Sequence, residues 1–403
     1  MKQKVGFFID TSQTSGGAFS EVVYMLNKLE QIFQNKIEII ILSTSSKSDI
    51  NSLNSKINIK YFKMNIFQRY LCYLKNYNSI FRKFGSFLFS NKFENFLKKN
   101  EIDVVYFVSP SQYALYLEDT DFIITVPDVS HRENVEFPEW AKSSNFFWKE
   151  NILSKVLIRA IAVITNATII KNKIIKFYRV EDNRVHVISH QPSIAISNFK
   201  QATSKPTKKY DLPKKYIFYP ANFLPHKNHK YIIDVINLLK FNRKKDISAV
   251  FCGADKGYLS KIKKYVSSLN LNNEIIFLDF VKDEDLPFLY LNSIALTMPT
   301  FSGPTNIPPW EAFKIGVPVI YSDIFGIREV YKDSVYYIDP MLPQTMADAI
   351  IDIIDNQSVR KKLVANGKKM LEANNFDKDA NKILNILEEN KIIKNSWLFQ
   401  QDN

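Results

Sequence analysis

Residues 301–323 read FSGPTNIPPWEAFKIGVPVIYSD, with two proline-containing turns followed by a short apolar run. Pro308 and Pro309 fix the backbone φ angle and suit the first turn of a helix, so a helix is predicted to begin near Pro309 and to contain Glu311. The apolar run after Gly316 predicts a strand covered on both faces. The stretch therefore predicts one loop–helix–strand step of an α/β fold.

Short apolar runs alternate with helical segments along the rest of the chain. Before residue 196 they include KVGFFID, IEIIILS, IDVVYFVSP, DFIITVPD and AIAVITN, and after residue 213 they include YIFYPAN, ISAVFCG, EIIFLDF, IALTMPT and VYYID. Such runs are typical of parallel strands buried by helices. Two series of them predict two doubly wound α/β domains, with ligands beyond the carboxyl ends of the strands and in a cleft between the domains.

The segment between the two series, residues 196–213, is polar, rich in lysine and interrupted by prolines, so it is the predicted linker. We expect an N-terminal domain over residues 1–197 and a C-terminal domain over residues 210–385. Residues 386–403 are expected to form a helix and a tail. That helix could pack on either domain, and we expect it on the N-terminal one.

The bulk composition is that of a packed globular protein of two or three domains, since 46% of the 403 residues are hydrophobic and 24% are charged. A net charge of +13 indicates an anionic partner: nucleic acid, a lipid surface or phosphorylated small molecules. We find neither a secretory signal nor the ~20 apolar residues of a membrane span, and expect a cytoplasmic protein. Cys72 and Cys252 are expected to be buried thiols, and the histidines have no zinc-binding spacing.

Basic and aromatic residues are interleaved over residues 60–99, which contain nine Lys or Arg and a single acid, Glu94. This pattern fits a helix lying in the interface of an anionic membrane. It fits equally well a pair of surface helices with aromatic rings turned inward and lysines outward. A nucleic-acid surface is a weaker interpretation, because no recognised nucleic-acid module occurs in the sequence.

The loop Gly303-Pro304-Thr305-Asn306 lies directly before the predicted helix. The positive end of the helix dipole and the free backbone N–H groups there make an anion site, and Thr305 and Asn306 add side-chain donors. Glu311, about one turn inside the helix, could accept hydrogen bonds from sugar hydroxyls. The alternative is a capped helix with an acid favourably placed near its N-terminus.

The order of these residues, GPTNIPPWEAFKIGVPVIYSDIFGIREV, resembles the nucleotide-sugar signature of the retaining glycosyltransferases of family 4, which have the GT-B fold. In register with that signature, Glu311 matches the second glutamate, which holds the ribose of the donor. Gly303 stands where the first glutamate would be, so backbone amides and Asn306 are expected to replace it. The segment YPANFLPHKNH is similar to the one that opens the C-terminal domain of the family. There Lys227 matches the lysine that reaches the diphosphate, while Asn222 lies where an arginine is frequent.

The N-terminal half resembles the family more loosely. TVPDVSHRENVEFPEW is similar to a family segment in which Asp128 and His131 would face the donor sugar and the acceptor, with Pro127 where many relatives have a histidine. The glycine loop at Gly16 and Gly17 fits the first turn between strand and helix, close to the diphosphate and the acceptor.

The resemblance implies a retaining glycosyltransferase of the hexosyl type, acting in the assembly of bacterial surface polysaccharide such as O-antigen. It would move a sugar from a UDP- or GDP-sugar to an acceptor hydroxyl, on a lipid-linked or growing glycan. The diphosphate would be held in the interdomain gap by the helix amides, with Lys227 approaching from across that gap. No acidic metal-binding motif is evident, so we expect no metal and no cofactor. Two alternatives stay open: a GT-B sugar-nucleotide epimerase and a non-catalytic nucleotide-sugar-binding scaffold. The protein is expected at the inner face of the cytoplasmic membrane or free in the cytoplasm, without nucleic-acid partners.

Overall fold

The computed structural model of the chain describes residues 2–10, 17–33, 36–44, 58–70, 91–199, 210–278, 281–374 and 376–398. The chain forms two compact units, each built on its own parallel sheet. The first unit consists of Met1–His131, Ser143–Ser189 and Phe376–Asn403, and the second of Arg132–Lys142 and His190–Asn375.

The sheet of the first unit has seven parallel strands in the order β3-β2-β1-β4-β5-β6-β7. The strands are β1 Gln3–Ile9, β2 Ile37–Ser43, β3 Asn58–Tyr61, β4 Val104–Phe107, β5 Asp121–Thr125, β6 Ala162–Thr165 and β7 Val185–Val187. The helices are α1 Gly17–Phe33, α2 Lys92–Lys99, α5 Ser143–Val156, α6 Thr168–Tyr178 and, at the C-terminus, α15 Phe376–Leu398. The short helix α3 Ser130–Glu133 is divided between the two units after His131, and α4 Pro138–Ala141 belongs to the second unit. All four residues of β4 and of β6 are buried, as expected for strands covered on both faces.

The second unit repeats the plan with six parallel strands in the order β10-β9-β8-β11-β12-β13. The strands are β8 Tyr216–Pro220, β9 Ser248–Cys252, β10 Ile275–Leu278, β11 Leu296–Met298, β12 Val319–Ser322 and β13 Tyr336–Ile338. The helices are α7 Ile194–Ser197, α8 His229–Asn237, α9 Leu259–Ser268, α10 Leu286–Leu291, α11 Ile307–Ile315, α12 Ile327–Tyr331, α13 Pro343–Asp355 and α14 Gln357–Ala373. In both sheets the strand order reverses beside the first strand, and such a reversal opens a ligand crevice at the carboxyl ends of the strands. The predicted pair of doubly wound domains is confirmed.

The division of the chain differs from the expected boundaries at three places. Residues 190–197 were expected in the N-terminal domain but belong, with residues 198 and 199, to the second unit. The reason is that Ile196 is buried in the second core and Phe199 packs edge-on against Phe288. Residues 132–142 also belong to the second unit. Finally, the C-terminal helix begins at Phe376, not near residue 386, and belongs to the first unit. Of the predicted linker, residues 200–209 lie outside the described residues.

Helix α15 joins the first unit through both apolar and polar contacts. Buried side chains recur every three or four residues along it, at Phe376, Ala380, Ile383, Leu384 and Leu387, which is the period of one helix face. The Phe376 ring packs edge-on against Tyr24. Farther along, Lys394 forms an ion pair with Asp121 at 3.0 Å.

The basic aromatic segment is described only over residues 60–70 and 91–99, and residues 71–90, with Cys72, lie outside the description. Ile66, Phe67 and Tyr70 are 79%, 63% and 57% exposed. In α2, by contrast, Phe93 and Leu97 are buried, so this helix turns its aromatic ring inward. Among the described residues, no helix combines the length and the apolar character needed to cross a membrane.

Candidate functional site

The loop before α11 and the start of that helix carry most of the predicted binding residues. Helix α11 begins at Ile307, two residues earlier than predicted, with Pro308 in its first turn. A proline at this position destabilises the helix little, because the N–H that proline lacks would have no hydrogen-bond partner inside the helix. Pro308 and Pro309 however remove two of the amide donors that the anion-site prediction assumed, and this part of the prediction needs correction. The amides of Thr305, Asn306 and Ile307 remain.

Asn306 holds the loop together through the nitrogen of its side-chain amide. Its nitrogen donates to the Gly303 carbonyl and to the Tyr321 hydroxyl, and Tyr321 in turn donates to the Gly303 carbonyl at 2.7 Å. The hydroxyl of Tyr331 donates to the Asn306 carbonyl at 3.1 Å. Tyr321 and Tyr331 are fully buried, so the loop is fixed to the interior of the second unit. Pro304 is buried within the same loop.

Gly303 has a φ angle of +86°, in the left-handed region where side chains are disfavoured. A β carbon placed there would lie 3.2 Å from the Asn306 amide nitrogen. The backbone therefore explains why a glycine replaces the first glutamate of the resembling family: the loop conformation has no room for that side chain unless Asn306 moves.

Lys227 ends the turn Pro225–Lys227, which follows β8. Its ammonium group donates to the Asn306 side-chain oxygen at 3.1 Å, and its carbonyl accepts a hydrogen bond from Tyr219 at 2.7 Å. The next residue, Asn228, adopts a left-handed conformation and donates to the carbonyls of Pro299 and Pro340. Lys227 and the α11 loop thus meet within the second unit, which corrects the expectation that the lysine approaches from across an interdomain gap.

Asn222 has a structural partner, since its side-chain oxygen accepts a hydrogen bond from the Ala254 amide at 3.0 Å. The backbones approach closely here: a β carbon on Gly253 would lie 2.2 Å from the Ala221 carbonyl oxygen. The contact joins the loops that follow β8 and β9. Asn222 therefore shapes the carboxyl edge of the second sheet.

Glu311 lies inside the second unit with 4% of its surface exposed. Its carboxylate accepts a hydrogen bond from the Tyr290 hydroxyl at 2.7 Å. Burial raises the pKa of Glu311, and the contacts with Tyr290 and with Ser193 only partly oppose this shift. One oxygen of the carboxylate that the sequence assigned to a ribose contact is thus bonded to a protein hydroxyl.

Asp128 follows β5 in the first unit and pairs with a residue that the sequence analysis did not single out. Its carboxylate accepts hydrogen bonds from the Lys149 ammonium at 2.8 Å and from the Ser130 amide at 2.9 Å. Burial alone would raise the pKa of Asp128, but Lys149 and the Ser130 hydrogen bonds outweigh it and hold this pKa well below its ordinary value. The side chain is 32% exposed, so it remains open to a ligand as a carboxylate.

His131 is fully buried, which differs from its predicted place facing the substrates. Its Nε2 atom lies 3.1 Å from the Glu150 carboxylate and 3.2 Å from the Tyr178 hydroxyl. Burial lowers the pKa of His131, Lys149 lowers it further, and Glu150 opposes the shift. In this structure His131 therefore links α3 to α5 and α6 through hydrogen bonds. These bonds hold the neighbouring Asp128 loop in place.

Of the two glycines predicted in the first turn between strand and helix, the structure describes one. Gly17 begins α1, and Gly16 lies outside the described residues. Within the described ranges, no group of three or more His, Cys, Asp or Glu side chains is arranged to hold a metal ion.

The second unit also contains a surface cavity of about 540 Å³ that the sequence did not indicate. Its volume lies in the range of small-molecule sites. The cavity is lined by Ala195, Asn198, Phe199, Lys282, Asp283, Glu284 and Pro287. None of these is a predicted site residue.

Four residues that bind the predicted site residues were not predicted from the sequence. Lys149, Glu150, Tyr178 and Tyr290 each bind a predicted site residue, at 19 to 47 positions away along the chain. The available signal was the adjacent charged pair Lys149-Glu150, which interrupts the aromatic start of α5. That pair does not by itself identify a partner.

Residues 200–370 match the family model described as "Glycosyl transferases group 1". The O-antigen chain mannosyltransferase RfbU of Salmonella typhimurium is 27% identical over 224 residues, covering 52% of this chain and 58% of that protein. The O-antigen chain mannosyltransferase B of Escherichia coli is 23% identical over 241 residues, covering 59% and 63%. The match thus spans less than two thirds of the length of these curated relatives.

Solved structures resemble almost the whole chain. A glycosyltransferase from Rickettsia africae has a TM-score of 0.70 at 16% identity, covering 96% of this chain and 98% of that one. WaaG, a glycosyltransferase involved in lipopolysaccharide biosynthesis, has a TM-score of 0.68 at 13% identity, covering 95% and 99%. Anabaena HepE in complex with UDP and glucose has a TM-score of 0.68 at 15% identity, covering 96% and 99%. At these identities the likeness establishes the fold, and the predicted GT-B class with two Rossmann-like domains is confirmed.

Proposed function

We propose that this chain, which contains a domain of the glycosyl transferases group 1, transfers a hexose from a UDP- or GDP-sugar to a hydroxyl of a bacterial surface glycan. The observation that carries the proposal is the contact between Lys227 and Asn306. It brings an ammonium group to the loop before α11 at the carboxyl edge of the second sheet, where α/β folds bind ligands.

The chemistry requires that negative charge on a departing diphosphate be stabilised. When the bond between the anomeric carbon and the β-phosphate oxygen breaks, that oxygen gains charge. The acceptor oxygen forms the new bond to the anomeric carbon and gives its proton to the departing phosphate oxygen. Lys227, the amides of Thr305 to Ile307 and the dipole of α11 supply positive potential at one place. We propose that these groups suffice without a metal, and that the sugar leaves and is attacked on the same face, with retention.

The acceptor is assigned to the first unit. Asp128 stays ionised beside Lys149 and partly exposed, at the carboxyl edge of the first sheet. An ionised carboxylate can accept a hydrogen bond from an acceptor hydroxyl and orient it, whereas the lowered pKa of Asp128 makes it a poor proton acceptor. His131 and Glu150 would hold the Asp128 loop in place, without touching the substrate.

The O-antigen relatives support a lipid-linked or growing polysaccharide as the acceptor class, and the complexes of HepE support a nucleotide-sugar donor. Because such an acceptor is held in a membrane, we propose that the exposed Ile66, Phe67 and Tyr70, together with nearby lysines, contact its anionic inner face. Neutralising Lys60 and Lys63 should then reduce sedimentation with vesicles containing anionic lipid. Unchanged sedimentation would contradict membrane contact and leave the transfer reaction standing.

The defining experiment is incubation of the purified protein with UDP-, GDP- and dTDP-sugars, with and without lipid-linked glycan acceptors. Nucleotide release that depends on acceptor supports the transferase. A changed donor sugar without acceptor would identify an epimerase, and binding without turnover would identify a scaffold. Lys227→Met should abolish most of the turnover, whereas Lys264→Met, on the exposed face of α9, removes the same charge and should leave turnover unchanged.

A further inference from the structure

Residues 132–142, here named the crossing segment, lie in the sequence of the N-terminal half but fold with the second unit. They follow Asp128 by only a few residues. Helix α4 forms the end of this segment and has no buried residue of its own. The position of the segment therefore depends on specific contacts made by its partly buried side chains, which include Phe137, Glu139 and Trp140.

Glu139 supplies the main partner. Its carboxylate accepts two hydrogen bonds from His226, one from the backbone amide at 3.0 Å and one from the ring Nδ1 atom. Both side chains are largely buried, with 12% and 8% exposed. The Trp140 ring lies 4.5 Å from the His226 ring, between centroids. His226 is the residue directly before Lys227. The crossing segment is therefore hydrogen-bonded to the turn that contains the lysine.

The same segment contacts the second half of the proposed diphosphate site. Asn134 donates to the Ser302 hydroxyl at 3.1 Å, and the Phe137 ring lies 5.5 Å from that of Phe301. The His226 carbonyl in turn accepts hydrogen bonds from the Phe301 amide at 2.9 Å and from the Thr300 hydroxyl at 3.2 Å. The two loops that carry Lys227 and Gly303 are thus joined to each other through His226.

Charge reinforces this arrangement. Burial would raise the pKa of Glu139, but the two hydrogen bonds from His226 outweigh it and lower that pKa. Glu139 is therefore a carboxylate at neutral pH, and it binds the residue directly before the cationic Lys227. Hydrogen bonds to a charged acceptor are roughly twice as strong as neutral ones, which suits a contact that must fix a turn.

We propose that Glu139 is a positioning residue of the donor site: by binding His226 from both its backbone and its ring, it fixes the Lys227 turn against the Phe301–Asn306 loop. The inference rests on the proposed function, in which Lys227 binds the diphosphate. Glu139 does not touch the donor in this scheme. It sets the geometry of the group that does, and displacement of such a group by about 1 Å can cost two orders of magnitude in rate.

The test measures the preference for diphosphate over monophosphate, because Lys227 is proposed to bind the phosphate that a monophosphate lacks. Dissociation constants of UDP, UMP, GDP and GMP are determined by calorimetry for wild type, Lys227→Met and Glu139→Gln. Glu136→Gln is the matched control, since Glu136 is an exposed acid of the same segment. We expect both Lys227→Met and Glu139→Gln to lower the diphosphate preference by on the order of tenfold. Glu136→Gln should keep the wild-type ratio. If Glu139→Gln does not fold, Glu139→Asp is measured with the same expectation.

Each outcome decides between defined possibilities. Glu139→Gln could keep the wild-type preference for diphosphate over monophosphate while Lys227→Met loses it. That result would overturn the positioning role and leave the proposed function standing. Equal weakening of mono- and diphosphate binding in Glu139→Gln shows a general structural role and overturns the inference. If the wild type binds none of the four nucleotides, or if Lys227→Met keeps the diphosphate preference, the proposed donor site itself is refuted. The inference then falls with it.

Discussion

The ammonium group of Lys227 donates a hydrogen bond to the side-chain oxygen of Asn306 at 3.1 Å. Seventy-nine residues separate them along the chain, yet both belong to the second unit and both were singled out from the sequence. The side-chain oxygen of Asn306 faces the lysine because the side-chain nitrogen already donates hydrogen bonds to Gly303 and Tyr321. The orientation of one amide thus determines where a positive charge is held.

Converting Asn306 to aspartate tests this orientation with almost no change of shape. Asn306→Asp places a carboxylate next to Lys227, so the lysine would be neutralised by the protein instead of by a ligand. We expect the affinity for UDP or GDP to fall at least about tenfold, the scale of a hydrogen bond between charged groups. Asn273→Asp, an exposed site in the same unit, adds the same charge and should bind as the wild type does. Equal affinities in the two variants would contradict the assignment.

Replacing Gly303 by glutamate, the residue that the resembled family has at this position, should not strengthen nucleotide binding. The residue would be forced into a left-handed backbone conformation, which costs about 1–2 kcal/mol, and its β carbon would press on Asn306. We expect lower unfolding free energy and weaker nucleotide binding. Gly257→Ala is a useful comparison, because Gly257 has a φ of +92° with no atom within 4 Å. It should lose stability and keep nucleotide affinity. Tighter binding by Gly303→Glu would show that the loop can rearrange.

Variants of Glu311 and Tyr290 can show whether Glu311 contacts the ribose of the donor or only stabilises the packing of the second unit. Glu311→Ala leaves the Tyr290 hydroxyl without its buried partner and should lower the unfolding free energy by about 1–3 kcal/mol. Tyr290→Phe removes the same hydrogen bond but keeps the carboxylate. If the ribose role implied by the resemblance holds, only Glu311→Ala weakens UDP or GDP binding. Equal weakening in both variants would assign Glu311 to the support of α11 alone.

His229 should make the second unit less stable in acid. It is fully buried among the rings of Tyr219, Phe223 and Phe251, and burial lowers its pKa to about 3. An unfolded histidine titrates near 6.5, so between about pH 6.5 and pH 3 the unfolded chain binds the extra proton and stability declines as pH falls. The decline is at most about 1.4 kcal/mol per pH unit for this group. His229→Phe should reduce the slope of unfolding free energy against pH over this range, and an unchanged slope would refute the account.

The single acid of the basic aromatic segment has a structural task that can be measured. Both oxygens of the buried Glu94 are engaged, accepting from the amides of Glu118, Asp119 and Thr120 and from the Thr120 hydroxyl. Glu94→Ala should destabilise the first unit by about 3 kcal/mol or more, because several donors lose a charged acceptor. Glu38→Gln, an exposed acid on β2, should change stability little. Thermal unfolding of the two variants provides the comparison.

The sequence was sufficient for those parts of the molecule that depend on local pattern. Unbroken apolar runs such as Val104–Phe107 identify buried parallel strands, and the GPTN loop identifies Asn306 through a motif. The start of α11 was placed too late because a proline in the first helical turn is tolerated wherever the N–H is dispensable. The partners of Asp128, His131 and Glu311 depend on which helices meet in three dimensions, and no local pattern specifies that. The same holds for the crossing segment, which joins the second unit through contacts of Phe137 and Glu139.

The C-terminal helix has a consequence for the order of events during synthesis. Its buried face and its ion pair with Asp121 complete the first unit, although the ribosome has made the last strand of that unit by Val187, long before Phe376. The first unit therefore cannot be completed by α15 until the second unit has been synthesised. Until then, the surface that Phe376 and Leu387 will cover is open to chaperones and to misassociation.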